Sequence, residues 1–341
     1  MIFAVTLAAV LSVQQLRGQF VESQDGAVQA EALKQIARTP PQDLRDVQSL
    51  YDLFVRYTAE SVREAALSSL QQLDPRLMDA GPLFVACLRD EEPASVLFGI
   101  KGALRLRYPE ALPILRKLAK RKFKYPSPGQ APTNGERNEW WIEYNALAAL
   151  AEWEKERTLP LLRRQAGKVP YLGQLLGRYY WKETLSSLRG WAAGQAEDRA
   201  RAFNALDAQP PVAELRETRS LMLELVRDPK ADPELRRHLA AKVGFCSDAA
   251  EVGALLKEHD AASDPALKKL IALAAFASRD DQIVPLLTRY AKEDPQPGVR
   301  IGARVQLKDM LPATDYRALL KWAAENDPDP ESRDLAKKEL L

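Results

Sequence analysis

Side chains that commonly act in catalysis or metal binding are scarce in this sequence. Its 341 residues include two histidines, His238 and His259, and two cysteines, Cys87 and Cys246. Two cysteines are too few for a disulfide framework or a thiolate metal site, and two distant histidines leave little for zinc binding or general-base chemistry. The motifs of phosphate-binding loops, dinucleotide-binding folds, serine hydrolases and zinc proteases are absent from the sequence. We therefore predict no catalytic residue, no metal ligand and no cofactor.

A cluster of cations is the first feature that could bind a partner. From Lys101 to Lys124 the sequence has nine Lys or Arg residues and one acid, Glu110, in a chain whose net charge is +2. Such a patch would attract phosphate, an acidic polymer or an acidic partner. The alternative is a solvated helix end, where the helix dipole favours cations. The candidate binding residues in this basic patch are Arg116, Lys117, Lys120, Arg121, Lys122 and Lys124.

Aromatic residues follow the basic patch. Five of the six tryptophans lie between residues 140 and 191. Most are expected in the core, but Trp140 and Trp141 cannot both face inward, because consecutive helical residues point about 100° apart. One of them is therefore exposed or packed beneath the preceding loop. Because aromatic residues dominate interface hot spots, we predict Trp140, Trp141 and Tyr144 as contact residues.

Helices must position these candidates, and the helices repeat. Six segments align without gaps, with aliphatic residues at positions one and nine and Ala, Ile or Leu at position five. They begin at residues 62, 96, 142, 235, 267 and 299. The four-residue spacing places the three positions on one helical stripe. The last three starts are 32 residues apart, a period typical of a solenoid of helix pairs.

Acidic turns join the two helices of each pair. Asp-Pro steps at Asp232, Asp264, Asp294 and Asp327 suit a helix start, because Asp accepts backbone N–H bonds and Pro fits the first turn. Strand and hairpin patterns are absent. The fold class is thus predicted as all-α, a solenoid of about nine helix pairs with irregular repeats at 154–227. Second helices are expected near 60–72, 94–106, 138–153, 170–180, 196–207, 232–243, 264–277, 297–310 and 330–340.

A proline-bearing first helix, an Asp turn and a second helix that opens with an aliphatic and a basic residue resemble HEAT repeats. They are close to the bacterial-type variety often called phycobilisome-lyase-like HEAT repeats. The resemblance implies a right-handed α-solenoid with second helices on the concave surface, and it carries over no catalytic residues. It also implies a ladder in which a turn Asp pairs with a basic residue of a neighbouring repeat. The ladder positions are Asp232 and Arg236, Asp264 and Lys268, Asp294 and Arg300, and Asp327 and Arg333.

Three further cations on the second helices are less well explained by the ladder. They are Arg237, Lys269 and Arg304. If they stack at one repeat spacing, they form a basic strip on the concave side. We predict them as binding residues.

The segments outside the regular repeats are predicted as follows. Ile2 to Val13 is an apolar run with the length of a signal-peptide core, and it is too short to span a bilayer. Residues 1–15 are a possible signal peptide, which favours export to the periplasm; the alternative is a buried first helix in a cytoplasmic protein. Residues 16–42 are expected to cap the solenoid at 43–341. Residues 123–138 form an inserted loop within one repeat, either on a binding face or as a tolerated surface insertion.

These features predict a non-enzymatic scaffold that binds a protein or peptide through its concave face and its loop-bearing edge. The alternative is polyanion or nucleic-acid binding through the basic patch, with glycosylase-like activity, since some HEAT-like proteins are alkylpurine DNA glycosylases. The near-neutral net charge of +2 makes nucleic acid an unfavourable partner. A bilin-lyase activity rests only on the name of the repeat. The identity of the partner and the oligomeric state stay open.

Overall fold

The computed structural model describes residues 11–76, 78–120 and 134–341, without the side chains of 134–138. Within these ranges the chain forms α-helices and three short 3-10 turns, with no β-strand. In chain order the helices are α1 (Val13–Glu22), α2 (Gly26–Ile36), α3 (Leu44–Arg56), α4 (Glu60–Leu70), α5 (Gly81–Leu88), α6 (Pro93–Leu106), α7 (Leu112–Leu118), α8 (Asn134–Trp153), α9 (Lys155–Ala166), α10 (Gly173–Tyr179), α11 (Trp181–Ala192), α12 (Ala196–Asp207), α13 (Val212–Glu217), α14 (Arg219–Arg227), α15 (Pro233–Phe245), α16 (Ala249–Ala261), α17 (Pro265–Phe276), α18 (Val284–Glu293), α19 (Pro297–Met310), α20 (Ala313–Asn326) and α21 (Pro330–Leu340).

The chain divides into two compact units, Met1–Leu161 and Leu162–Leu341. In the first unit α1 packs on α2, α3 on α4, α5 on α6 and α7 on α8. Successive pairs also contact each other, through α1 with α3, α2 with α4 and α6 with α8. Helix pairs that stack on their neighbours bury apolar stripes that a single pair leaves exposed.

The second unit repeats this arrangement. Its pairs are α11 with α12, α14 with α15, α16 with α17, α18 with α19, and α20 with α21. The second helices α12, α15, α17 and α19 contact one another in that order. The predicted all-α solenoid is therefore confirmed, and each unit is a stack of helix pairs. Among the described helices, none combines the length and apolar character that a membrane span requires.

The repeating apolar stripe faces the core as the sequence predicts. Leu235, Leu239 and Val243, at positions one, five and nine of the aligned segment in α15, are buried. The equivalent residues of α19 are buried as well. Burial of such side chains contributes roughly 1.5–3 kcal/mol each for a large aliphatic residue. The stripe is thus the main stabilising element of each repeat.

The acidic turns are of two kinds, which the sequence does not distinguish. Asp232 and Asp264 cap α15 and α17, and their carboxylates accept N–H bonds from the first helical turn. Asp294 and Asp327 instead end α18 and α20, and both side chains are buried. The expectation that all four begin a helix is therefore wrong for the last two. The following helices start at later caps, such as Asp329 before α21.

Two segments of the sequence analysis are only partly described. Residues 1–10, most of the possible signal peptide, lie outside the described residues, and α1 begins after a capping box formed by Ser12 and Gln15. The predicted cap at 16–42 holds most of α1 and all of α2. Much of the inserted loop at 123–138 also lies outside the described residues. The signal peptide, the capping role and the loop's role stay predictions.

Candidate binding groove

A groove of about 730 Å³ lies in the unit Leu162–Leu341. Residues from α12, α13, α15 and α19 line it, together with the turn after α17. Its polar lining is Asp207, Gln209, His238, Lys242, Arg279, Asp281, Gln306 and Asp309, and its larger apolar lining is Leu206, Leu215, Phe245 and Met310. The groove crosses successive repeats because it follows the stacked second helices.

One face of α15 forms the middle of this groove. His238, Ala241, Lys242 and Phe245 are spaced so that they share one side of the helix. This face adjoins the buried stripe of Leu235, Leu239 and Val243. The side chains on this face are half-buried, because one side of each packs against the protein and the other side faces the groove.

Lys242 is the cation that lies deepest in the lining. Its Nζ donates a hydrogen bond to the carbonyl oxygen of Ala208 at 2.7 Å and lies 5.3 Å from the centroid of the Trp181 ring. Trp181 is itself fixed by a hydrogen bond from Nε1 to Thr218 Oγ1, 3.0 Å long. Burial lowers the pKa of Lys242 to about 8, and the charge of Asp207 offsets this only in part. No carboxylate among the described residues lies within ion-pair distance of Lys242.

The remaining polar groups lie towards the rim. The His238 ring packs near Phe203, and its Nδ1 is 3.9 Å from Asp207 Oδ1. The guanidinium of Arg279 lies 5.2 Å from the centroid of the Phe245 ring. Gln306 donates to the carbonyl oxygen of Ser278 at 3.2 Å, which ties α19 to the turn after α17. The groove therefore offers hydrogen-bonding groups of both polarities beside apolar surface, which suits binding.

The structure shows the partners of the acidic turns and of the cations at the ladder positions. Arg300 donates to the backbone oxygen of Asp294 at 2.6 Å, whereas its ion pair is with Asp327 of the next repeat, Nη2 to Oδ1 at 2.6 Å. Arg333 likewise donates to the backbone oxygen of Asp327. These arginines thus bind carbonyl groups at the end of the preceding helix, where cations are favoured.

The earlier ladder positions have the following partners. Arg236 donates to the carbonyl oxygen of Val226 at 2.8 Å, and Asp232 pairs with Arg199 at 2.6 Å. Asp264 caps α17 and accepts the backbone N–H of Ala266 at 2.9 Å. The paired cation of Asp232 comes from the repeat before it.

The predicted basic strip does not form as a set of three accessible cations. Arg237 and Lys269 are exposed, but Arg304 is only 4% exposed. Arg304 donates to Asp327 Oδ2 at 2.8 Å and to Ser332 Oγ at 2.5 Å. Its prediction as a binding residue is wrong, because its charge is used inside the protein. Neither Arg237 nor Lys269 lines the groove.

The basic patch is partly neutralised where the structure describes it. Arg116 forms a two-bond ion pair with Glu154, at 3.0 and 2.5 Å. Lys117 and Lys120 are exposed at the end of α7. The other three predicted members, Arg121, Lys122 and Lys124, lie outside the described residues.

The predicted aromatic residues lie together on α8. The ring centroids of Trp140 and Trp141 are 4.7 Å apart, and Tyr144 lies 6.1 and 5.5 Å from them. Trp141 is 40% exposed and Trp140 is half-buried. We call these three residues the aromatic cluster.

The groove residues themselves were missed by the sequence analysis. His238, Lys242 and Phe245 occupy positions four, eight and eleven of the aligned segment that begins at Leu235. The same repeat alignment that identified the core stripe could have identified this adjoining face. The polar residues His238 and Lys242 on this face of α15 were the sequence signal that could have indicated the groove. In the described part of the chain, no group of His, Cys, Asp or Glu side chains is placed to hold a metal ion.

Comparisons with known proteins add distant structural likenesses. No protein-family model matches the chain, and no curated protein matches it. Three crystal structures of Kap121p are similar, bound to Nup53p, Ste12p and Pho4p, with identities of 15%, 14% and 14% and TM-scores of 0.34, 0.32 and 0.32. They cover 96%, 95% and 96% of this chain, which spans 40%, 40% and 41% of theirs. The similarity to phycobilisome-lyase-like HEAT repeats therefore rests on the sequence pattern alone.

Proposed function

We propose that this chain is a non-enzymatic helical-repeat scaffold that binds an extended peptide segment of a partner protein. The observation that carries the proposal is the groove of about 730 Å³ along α12, α15 and α19. Stacked repeats create extended surfaces of this kind, and such surfaces bind extended chains. The lining combines charges of both signs with Phe245 and Met310, so it can accept backbone, polar and apolar groups of a peptide.

The experiment that tests this proposal obstructs the groove without touching its charges. Ala241 lines the groove on α15, and Ala254 is exposed on α16 outside the lining. Ala241→Trp places an indole in the groove, and Ala254→Trp is the matched control. Randomised peptides displayed on phage are selected against the unchanged protein and tested against both variants. We expect selected peptides to lose roughly tenfold or more of their affinity for Ala241→Trp, equal to about 1.4 kcal/mol, and none for Ala254→Trp.

Folding of both variants is checked first by circular dichroism and melting temperature. Gln209→Trp obstructs the groove from an exposed, uncharged position after α12 and replaces Ala241→Trp if that variant unfolds. Selection that yields no groove-dependent peptide, or peptides that bind the obstructed protein equally well, would overturn the proposed function.

We also propose that the aromatic cluster adds a second contact at the loop-bearing edge. Trp141 supports this role, because a large aromatic side chain that is 40% exposed is a typical interface anchor. Selection of the same peptide library against Trp141→Ala tests it. Loss of one class of selected peptides supports the second contact, and an unchanged panel argues that the edge takes no part.

Export remains a proposal that rests on the apolar run Ile2–Val13. Expression of the full sequence, followed by fractionation and N-terminal sequencing, tests it. A periplasmic product whose first residue lies near Val13 supports export. Cytoplasmic protein that retains Met1 contradicts it.

A further inference from the structure

Lys242 carries a positive charge that the described residues leave without a counter-ion. Some cations on second helices of this unit have a carboxylate partner, such as Arg199 with Asp232 and Lys308 with Glu339. Lys242 instead contacts the neutral carbonyl of Ala208 and the face of Trp181. A cation that has lost water without gaining a carboxylate is costly, and its pKa of about 8 reflects that cost.

A second cation in the lining, the exposed Arg279, lies near Phe245. Phe245 is three residues from Lys242 on α15, so the two share a helix face. The guanidinium of Arg279 lies over the Phe245 ring, and it makes no ion pair with any described residue. Lys242 and Phe245 therefore share one face of α15 in the groove, and the more exposed Arg279 lies over the Phe245 ring.

The carboxylates of the lining do not cancel this preference. Asp207, Asp281 and Asp309 are exposed and keep their hydration. Exposed charges contribute little to binding, because water and salt screen them. A charge at half-buried Lys242 acts through less water and is therefore worth more.

We propose that the groove binds an acidic peptide segment whose Asp or Glu carboxylate pairs with Lys242. Phe245 and Met310 contact an apolar side chain beside the acid. The inference rests on the proposed function and names the class of partner. The carboxylate supplies the counter-ion that the fold itself leaves out, so binding restores a compensated buried charge.

The test uses the same peptide library and a pair of lysine variants. Lys242→Met keeps the length and apolar stem of the side chain but removes its charge, and Lys257→Met does the same at an exposed position on α16. We expect Asp or Glu at one fixed position in peptides selected by the unchanged protein and by Lys257→Met. We expect Lys242→Met to lose that enrichment, and Lys242→Arg to retain it.

A double-mutant cycle is completed by measuring the affinity of one selected peptide, and of its Glu→Gln or Asp→Asn analogue, for the unchanged protein and for Lys242→Met. The acidic peptide should lose roughly tenfold or more on Lys242→Met, or about 1.4 kcal/mol. The amide analogue should lose little, because it offers no charge to pair. Equal losses for both peptides would contradict the ion pair.

Proton uptake provides an independent readout. The other titratable and charged groups of the lining are Asp207 on α12, His238 on the same helix as Lys242, Arg279 and Asp281 after α17, and Asp309 on α19. A carboxylate at Nζ raises the pKa of Lys242, so binding at about pH 8.5 should take up protons. Calorimetry in two buffers with different ionisation enthalpies measures this uptake, which should vanish in Lys242→Met.

The outcomes separate this inference from the function on which it rests. Groove-dependent peptides without an acidic position, or with basic residues enriched instead, would overturn the inference and leave the scaffold proposal standing. An absence of groove-dependent peptides would overturn both. Acidic enrichment that persists in Lys242→Met would show that another cation selects the acid, which also contradicts the inference.

Discussion

The carboxylate of Asp327 accepts hydrogen bonds from Arg300, Arg304 and Ser332 although the residue is only 1% exposed. It also accepts a bond from the backbone N–H of Asp329. Buried charges are tolerated only where partners satisfy them, and here two cations share one anion. Asp327 thereby joins α19 to α21.

We expect Asp327→Asn to lower the free energy of unfolding by about 3–5 kcal/mol, because it leaves two buried guanidinium groups without their counter-ion. Urea denaturation followed by circular dichroism measures the change. Asp334→Asn is the control, since Asp334 pairs with Lys337 at the surface. A loss of similar size in both variants would contradict the role assigned to Asp327.

The same carboxylate should make the free energy of unfolding depend on pH in the acidic range. Burial by itself would raise the pKa of Asp327, but the bonds from Arg300, Arg304 and Ser332 outweigh it and hold the pKa well below its ordinary value. Below about pH 4 the unfolded chain binds a proton that the folded chain refuses. The stabilisation is therefore complete above that pH and is lost as the pH falls further. Stability of the unchanged protein should fall more steeply than that of Asp327→Asn over this acidic range.

At the scale of the helices, close approach depends on small residues at particular crossings. A Cβ at Gly244 of α15 would overlap the carbonyl oxygen of Ala274 on α17. A Cβ at Gly253 of α16 would meet no atom within 4 Å. The two glycines lie in neighbouring helices, so they form a natural comparison.

We predict opposite effects for the same substitution at these glycines. Gly244→Ala should destabilise the protein by about 1–3 kcal/mol, because α15 and α17 must move apart. Gly253→Ala should stabilise it by about 0.5–1 kcal/mol through improved helix propensity. Thermal melting of both variants measures the difference. Destabilisation by both would show that α16 is packed more tightly than the structure indicates.

Local patterns allowed the helices to be predicted, because each depends on neighbouring residues. The second helix expected at 196–207 is α12, and the core stripe of α15 follows from four-residue spacing. The positions of Arg304 and Asp327 were not predictable in this way. They lie 23 residues apart and meet only after two helices have packed. The groove escaped prediction for the same reason, since its lining comes from several helices.

At the scale of the whole molecule, stability should be distributed along the chain. Contacts in the second unit join neighbouring helix pairs, and repeat proteins of this kind lose structure locally. We expect Asp327→Asn to increase amide hydrogen exchange in α19–α21 and to leave α10–α12 unchanged. Exchange measured by mass spectrometry tests this. A uniform increase across α10–α21 would indicate one cooperative unit.

The overall charge also predicts weak binding to nucleic acid. The net charge is +2, and Arg116 in the basic patch is paired with Glu154. We expect no salt-dependent binding to duplex DNA between about 50 and 200 mM salt, measured by fluorescence anisotropy. Binding that weakens steeply over this range would instead favour the polyanion alternative. Lys120→Gln would then identify whether the exposed end of α7 is responsible.

Among the described residues, four ion pairs between repeats run in the same direction along the chain. In Lys182 with Glu217, Arg199 with Asp232, Arg227 with Glu258 and Lys308 with Glu339, the cation always comes first, and the acid follows 31 to 35 residues later. Duplication of the gene segment for one complete repeat would therefore add a cation that can pair with the following repeat and an acid that can pair with the preceding repeat. Such an array can lengthen during evolution and keep these ion pairs between repeats, provided that whole repeats are copied.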